Sequence, residues 1–192
     1  MVNGTPTIAF MRREWRFLLF GALVMFWTSP GQTYFISLFG DQFRQDFGLS
    51  HGEFGSLYTL ATLTSAAILW PMGRLVDKLR LVKFVWWVCV AMVVGTVSMS
   101  IVNGPISLFL GILVVRFLGQ GMMSHIAVTA MARRYAGERG RAIAIAGFGF
   151  PIGEGIFPPL ISIGLTVISW QNIWICMGIA AAIMLLPAVP FL

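Results

Sequence analysis

The sequence has 192 residues, of which 58% are hydrophobic and 10% are charged. Soluble globular domains carry about 25% charged residues, so this composition excludes a soluble domain and predicts an integral membrane protein. The net charge of +6 does not indicate nucleic-acid binding, because the basic residues cluster in short connections between apolar runs, as in membrane proteins.

Six apolar runs are long enough to cross a membrane as helices, which takes about 17–25 residues. They cover residues 17–39, 55–72, 84–102, 106–127, 142–163 and 172–192. Residues 1–16 form a polar start, and residues 17–192 are predicted to form one six-helix domain. We expect an all-α membrane protein built from two inverted three-helix repeats, because Gly31-Gln32-Thr33 and Gly119-Gln120-Gly121 stand at similar depths in the first and fourth runs.

Polar residues interrupt the first and second runs. Ser29-Pro30-Gly31-Gln32-Thr33 lies inside the first run, where proline removes a backbone donor and glycine removes a side chain, so a kink beside Gln32 is expected. A kink that serves packing alone is the alternative to a ligand site. In the second run Tyr58, Thr62 and Ser65 follow the spacing i, i+4, i+7 and form one polar stripe facing protein or water.

Two charged residues lie inside the runs, Arg116 in the fourth and Glu154 in the fifth. An intramembrane charge costs about 2.5–3.5 kcal/mol on insertion scales, so such residues normally pair or line a water-filled path. Counted from opposite surfaces, both lie about 15–18 Å deep, near the midplane. We predict that Arg116, on one face with Gln120 and Ser124, recognises an anion, and that Glu154 is its resting partner or a protonatable coupling group. A structural ion pair is the alternative.

A charged connection joins the second and third runs and begins with Gly73-Arg74-Leu75-Val76-Asp77-Lys78. Glycine lets two helices pack closely at a turn, and an aspartate among cations can hold that turn by charge. The pattern G-x-L-x-D-[RK] after a second span resembles the signature loop of the major facilitator superfamily of secondary transporters. The resemblance implies that Gly73, Arg74, Asp77 and Lys78 form a conformational hinge.

The resemblance extends along the whole chain to the N-terminal half of the monocarboxylate-transporter-like branch of that superfamily. Four segments carry it: Arg116-Phe117-Leu118-Gly119, Arg139-Gly140-Arg141-Ala142, the glycine-rich stretch 147–155 and Ser169-Trp170. It implies one half of a twelve-helix fold that holds its substrate between two six-helix halves. We therefore expect the chain to end before its second half. The fifth-span antiport signature is not reproduced, and antiport is not inferred.

Basic residues alternate between the connections. Lysine and arginine number three before the first run and then one, four, none, four and none in the successive connections. The positive-inside rule places the N-terminus, residues 73–83 and residues 133–141 in the cytoplasm of a multi-pass protein of the cell membrane, plasma or inner.

These patterns predict a secondary transporter that moves a small organic anion, such as a monocarboxylate, by alternating access, with proton coupling left open. Gln32, Tyr58 and Gln120 are further polar candidates for the substrate site beside Arg116 and Glu154. The expected partners are the lipid bilayer, a small-molecule substrate, protons and a C-terminal six-helix half.

Two alternatives belong to other classes, a nonfunctional or accessory half-transporter and an intramembrane serine-protease-like enzyme. The enzyme is disfavoured because Ser124 and His125 are adjacent, so their side chains point about 100° apart on a helix. Cys89 and Cys176 lie in apolar runs without metal-ligand spacing, and neither a metal nor another cofactor is predicted.

Overall fold

The computed structural model describes residues 7–78 and 81–191, and for residues 73–78 it describes the backbone alone. Ten α-helices are found in this described part of the chain. In chain order they are α1 (Thr7–Phe26), α2 (Thr33–Ser37), α3 (Gly40–Phe47), α4 (His51–Lys78), α5 (Leu81–Ser98), α6 (Pro105–Val115), α7 (Ser124–Arg134), α8 (Arg139–Gly147), α9 (Gly149–Gly164) and α10 (Trp170–Leu185).

Short irregular helices join several of these elements. Ser29–Gly31, Met99–Ile101 and Leu186–Phe191 are 3₁₀ turns, and Arg116–Met123 is a π-helical segment that continues α6 into α7. The predicted all-α architecture is confirmed for the described residues, and the fourth apolar run is one continuous helical rod with a changed winding in its middle.

Four helical stretches of the described chain are long and apolar enough to cross a membrane. They are Leu81–Ile101, Pro105–Arg134, Arg139–Gly164 and Trp170–Phe191. The predicted membrane character is confirmed by them. The first and second predicted spans are not among these four stretches. Helix α1 begins with charged residues and the run then breaks, which shortens its apolar part. Helix α4, in the second run, carries hydroxyl side chains that lower its mean hydropathy.

The start of the chain differs from the expected boundary at residue 17. Helix α1 already begins at Thr7, and its backbone leaves helical geometry at Glu14 (φ −108°, ψ 16°). A kink therefore separates a polar first segment from the apolar part that enters the bundle.

The connection between the first two runs is also more ordered than expected, since it contains α3. Gly48 ends that helix in the left-handed conformation (φ 64°), which glycine adopts without a steric cost. The predicted N-cap is confirmed: the Glu53 backbone N–H donates to Ser50 Oγ (3.2 Å), and the Ser50 N–H donates to the Glu53 carboxylate (2.8 Å).

A continuous aromatic cluster fills the core between α2, α3 and α10. Phe35 and Phe39 place their rings 5.3 and 5.1 Å from Trp174, centroid to centroid, and Phe43 lies 5.0 Å from Trp170. Trp170 also donates its indole N–H to Asp46 (2.7 Å). These contacts attach the C-terminal half of the first run to the last long helix.

Helix α1 packs against α9 through glycine. A Cβ on Gly149 would overlap the carbonyl oxygen of Ala22, and a Cβ on Gly153 would lie 2.5 Å from Ser29 Oγ. The two glycines are one turn apart, so together they let two backbones meet closely. Gly147 and Gly155 would meet nothing within 4 Å, so only part of the expected glycine ladder makes this contact.

We expect Gly149→Ala to destabilise the protein by about 1–3 kcal/mol, because the added methyl must push α1 and α9 apart. Gly155→Ala is the matched control, since the same methyl enters open space and its effect should stay within about 0.5 kcal/mol or be stabilising. Unfolding in detergent micelles measures both. Equal stability of the two variants would contradict the close packing.

Candidate functional site

The first apolar run is broken where the sequence predicts a kink. Helix α1 ends at Phe26, the 3₁₀ turn Ser29–Gly31 follows with a proline in its first turn, and Gln32 is extended (φ −89°, ψ 153°) before α2 begins. An extended residue cannot continue the helical hydrogen-bond ladder, so the carbonyl of Gly31 needs a partner from elsewhere.

The π-helical segment packs directly against this break. A Cβ on Gly31 would overlap the carbonyl oxygen of Val115 and would lie 2.9 Å from the backbone nitrogen of Gln120. A Cβ on Gly119 would lie 2.8 Å from the carbonyl oxygen of Thr28. The two glycine-glutamine triplets found in the sequence therefore meet at one backbone contact, which requires glycine on both sides.

Arg116 supplies the missing partner at the break. Its side chain is buried, with 5% of its surface exposed. Its Nη1 donates to the carbonyl of Gly31 (3.5 Å), to Thr33 Oγ1 (3.3 Å) and to the Tyr58 hydroxyl. The guanidinium also lies over the Tyr58 ring, 4.9 Å from Cζ to the ring centroid, which is a cation–π contact. One arginine thus joins the broken helix, α2 and α4.

A hydroxyl chain orders these contacts. The Tyr58 O–H donates to Thr33 Oγ1 (2.8 Å), which leaves the phenolic oxygen free to accept from Arg116. Arg116 Nε is buried and has no hydrogen-bond partner in the described part of the chain. The guanidinium therefore keeps an unused donor although neutral groups surround it.

A cavity of about 260 Å³ lies beside the guanidinium. Its lining comes from α4 and the π segment: Thr62, Ser65, Ala66, Leu69, Arg116, Gln120 and Gly121. The predicted stripe on α4 thus faces Arg116, and Gln120 is exposed towards the same space. Gln32 is 7% exposed and lies between Gly31 and Thr33, which both contact Arg116.

The expected partnership of Arg116 with Glu154 is absent. Within residues 7–72 and 81–191, no carboxylate forms an ion pair with Arg116. Glu154 is exposed on α9, directly after Gly153, which is buried against Ser29. The two charges were matched in depth, but adjacent residues on a helix point about 100° apart. Glu154 therefore leaves the α1-facing side of α9, whereas Arg116 points into the break of the first run.

Several other expectations have plain outcomes. Ser124 is outside the set of residues that line the cavity with Arg116 and Gln120. The side chains of the predicted hinge, Gly73, Arg74, Asp77 and Lys78, lie outside the described residues.

Sequence reasoning missed two features of this site. Thr33 bonds both Arg116 and Tyr58, and its position after the proline-glycine break was the available signal. The π-helical winding of Arg116–Met123 had no signal in hydrophobic periodicity. Such windings are rare and frequently occur at functional sites.

The apolar helices, together with a buried arginine beside a cavity that hydroxyl and amide side chains line in part, define a multi-pass membrane protein with an intramembrane arginine site. The family model of the Major Facilitator Superfamily matches residues 10–192, and the chain belongs to that superfamily. Membership indicates a secondary transporter of small solutes. No curated protein matched the sequence. The superfamily resemblance is confirmed.

Tyr58→Phe should destabilise the protein by about 1.5–3 kcal/mol, because it removes a hydroxyl that accepts from a buried charged group. Tyr34→Phe is the matched control: the Tyr34 hydroxyl donates to neutral Ser29 Oγ (2.6 Å), so its loss should cost about 0.5–1.5 kcal/mol. Chemical unfolding in micelles compares the two. A smaller effect at Tyr58 than at Tyr34 would show that the arginine does not depend on the phenol.

Proposed function

We propose that this chain is the N-terminal six-helix half of a secondary active transporter that moves a small organic anion, such as a monocarboxylate, by alternating access. In this proposal the two inverted three-helix repeats meet at Arg116, and a C-terminal six-helix half closes the site from the other side. The chain is assigned to the monocarboxylate-transporter-like branch and to the cell membrane, plasma or inner, with its N-terminus in the cytoplasm.

The observation that carries the proposal is the uncompensated charge of Arg116. The arginine is buried in an apolar bundle and bonds a carbonyl and two hydroxyls, but no carboxylate of the described residues pairs with it. A buried cation of this kind is costly unless an anion completes its coordination. A substrate carboxylate in the adjacent cavity would accept from the guanidinium edge in the bidentate geometry that arginine favours.

The cavity residues support selectivity for a small and partly polar anion. Thr62 and Ser65 offer hydroxyls on one side, and Gln120 offers an amide on the other. The Ser65 hydroxyl and the Gln120 amide can donate to the oxygen atoms of a carboxylate, whereas the Thr62 hydroxyl donates to the Tyr58 carbonyl (2.8 Å) and is left to accept. The space of about 260 Å³ favours a solute of a few carbon atoms.

Glu154 is assigned a separate role as a protonatable coupling group. It is exposed on α9 in this chain, and a charged side chain facing lipid would be expensive. We therefore place it on a surface that faces water or the C-terminal half. The hinge residues Gly73, Arg74, Asp77 and Lys78 are assigned to the conformational change between the two access states.

In the full-length transporter with both halves, Arg116→Gln should abolish saturable uptake of lactate into proteoliposomes and should weaken lactate binding at least about tenfold, since a charge-assisted contact is lost. Lactamide, which has no charge, should neither be transported nor stabilise the wild-type protein against heating. Arg116→Lys should keep part of the binding because it keeps the charge without the planar fork.

Two controls make the result specific. Arg12→Gln removes the same charge at an exposed position and should leave uptake unchanged. Ser65→Val alters the cavity wall without touching Arg116, so it should raise the KM for lactate while the melting temperature stays near that of the wild type. Full lactate uptake by a folded Arg116→Gln variant would exclude Arg116 as the anion site.

Glu154→Gln should leave lactate binding intact and remove the acceleration of uptake by an inward proton gradient. The physical reason is that an amide cannot gain or lose a proton at the coupling position. Uptake is measured with and without the gradient, and the exchange of lactate across the membrane at equal pH serves as the internal control. A variant that still responds to the gradient would exclude Glu154 from coupling.

A further inference from the structure

A second cavity lies at the opposite end of the molecule from the aromatic cluster. It has a volume of about 470 Å³ and is bounded by the first half of α1, by the end of α7 and by the C-terminal 3₁₀ segment Leu186–Phe191. The candidate spans Pro105–Arg134 and Trp170–Phe191 both end at this place. The cavity is therefore at the level where the helices leave the membrane. We call it the terminal cleft.

The terminal cleft is strongly basic. Arg13, Arg16 and Arg134 line it, and within the described chain Glu14 is the one acid in its wall. Three guanidinium groups against one carboxylate leave two positive charges in excess. Arg13 and Arg134 keep 60% and 50% of their side-chain surface exposed, so their charges are accessible.

The single carboxylate is already occupied. Glu14 accepts from Arg13 Nε (3.0 Å) and from the Tyr135 hydroxyl (3.0 Å), and Arg134 Nη2 lies 3.6 Å away. Partial burial raises the pKa of Glu14, but these hydrogen bonds and charges outweigh it and hold the pKa below its ordinary value. Burial and then the bond to Glu14 raise the pKa of Tyr135 to about 12, so the phenol stays a donor.

Two of the arginines contact aromatic rings, and one of them, Arg134, also faces Glu14 at 3.6 Å. Arg134 lies over the Phe17 ring (4.6 Å from Cζ to the centroid), and Arg16 lies over the Trp15 ring (5.4 Å). When the flat face of a guanidinium contacts a ring, its in-plane N–H groups can still donate to a second partner. Arg16 has no carboxylate partner among the residues that the structure describes.

Apolar side chains also line the cleft beside the charges. Trp15 is 52% exposed and Phe191 is 40% exposed, and both line the wall. Tryptophan prefers the boundary between lipid headgroups and acyl chains. The cleft therefore contains both cationic and exposed apolar side chains at the depth of the membrane surface.

We propose that the terminal cleft binds the headgroup of an anionic phospholipid, with its phosphate held by Arg16 and Arg134 and its glycerol and acyl chains lying along Trp15 and Phe191. Basic pockets at helix ends on one side of a membrane are suited to acidic headgroups. Arginine matches phosphate geometry with two parallel hydrogen bonds. The two excess positive charges fit one or two phosphate groups.

A membrane lipid fits these observations better than a soluble phosphate compound. A soluble anion would need the charges alone, whereas the exposed Trp15 and Phe191 add apolar surface that suits an acyl chain. The position at the ends of two candidate spans also places the cleft where headgroups are concentrated.

The test is native mass spectrometry of the purified protein with phosphatidylglycerol, cardiolipin and phosphatidylcholine of matched acyl chains. The wild type should retain phosphatidylglycerol or cardiolipin in preference to phosphatidylcholine. Arg16→Gln combined with Arg134→Gln should weaken that binding at least about tenfold, the effect of one lost charge-assisted contact. Thermal stabilisation by the same lipids gives a second readout.

The matched control is Arg12→Gln combined with Arg139→Gln, which lowers the net charge equally at exposed positions outside the cleft. It measures the general attraction of basic residues for an acidic membrane. If Arg134→Gln impairs folding, Arg16→Gln against Arg12→Gln gives the same comparison.

Three outcomes would overturn the proposal. Equal loss of binding in the cleft variant and in the control would mean general charge attraction. Equal retention of phosphatidylcholine would remove the headgroup selectivity. Displacement of the lipid by millimolar inorganic phosphate or glycerol phosphate would assign the cleft to a soluble anion.

Discussion

The contact of Arg116 with the broken first helix is the interaction on which the rest of the structure depends. A helix interrupted inside an apolar bundle leaves backbone carbonyls without partners, and a buried arginine without partners is equally costly. Each defect satisfies the other, because Arg116 donates to the Gly31 carbonyl and to Thr33. Tyr58 extends the same contact to α4. The first run, the π segment and α4 are thereby joined at one point, and the cavity lies beside that point.

Glycine sets the distances that make this contact reachable. The break of the first run touches the π segment at Gly31 and Gly119, and α1 touches α9 at Gly149 and Gly153. Lipid offers no hydrophobic drive for helices to associate, so close backbone packing and polar contacts must supply it. The first run is therefore packed closely on two sides, against the π segment and against α9. This backbone packing, and not side-chain chemistry alone, directs its polar residues inward.

Much of this could be predicted from the sequence, since composition and local rules govern it. The membrane class, the all-helical fold, the kink at Pro30, the N-cap at Ser50 and the polar stripe on α4 follow from hydropathy, backbone chemistry and periodicity. The pairing of Arg116 with Glu154 was predicted from their depth and is absent, because depth along a helix carries no information about the direction in which a side chain points around the helix axis. The role of Thr33 depended on a tertiary contact. The sequence therefore predicted which polar residues lie near Arg116 better than it predicted which of them Arg116 bonds.

The π-helical segment has one more consequence, for the rotational phase of the rod that contains it. In a continuous α-helix each residue advances about 100°, so a local change in winding turns everything beyond it by a fixed angle. Helix α7 meets α1 with Met131 against Gly21 and reaches Glu14 with Arg134. Both contacts require the rotation of α7 about its axis that the segment Arg116–Met123 provides. The winding of the π segment thus determines which side of α7 faces α1. The orientations of α6 and α7 are therefore coupled through the eight residues Arg116–Met123.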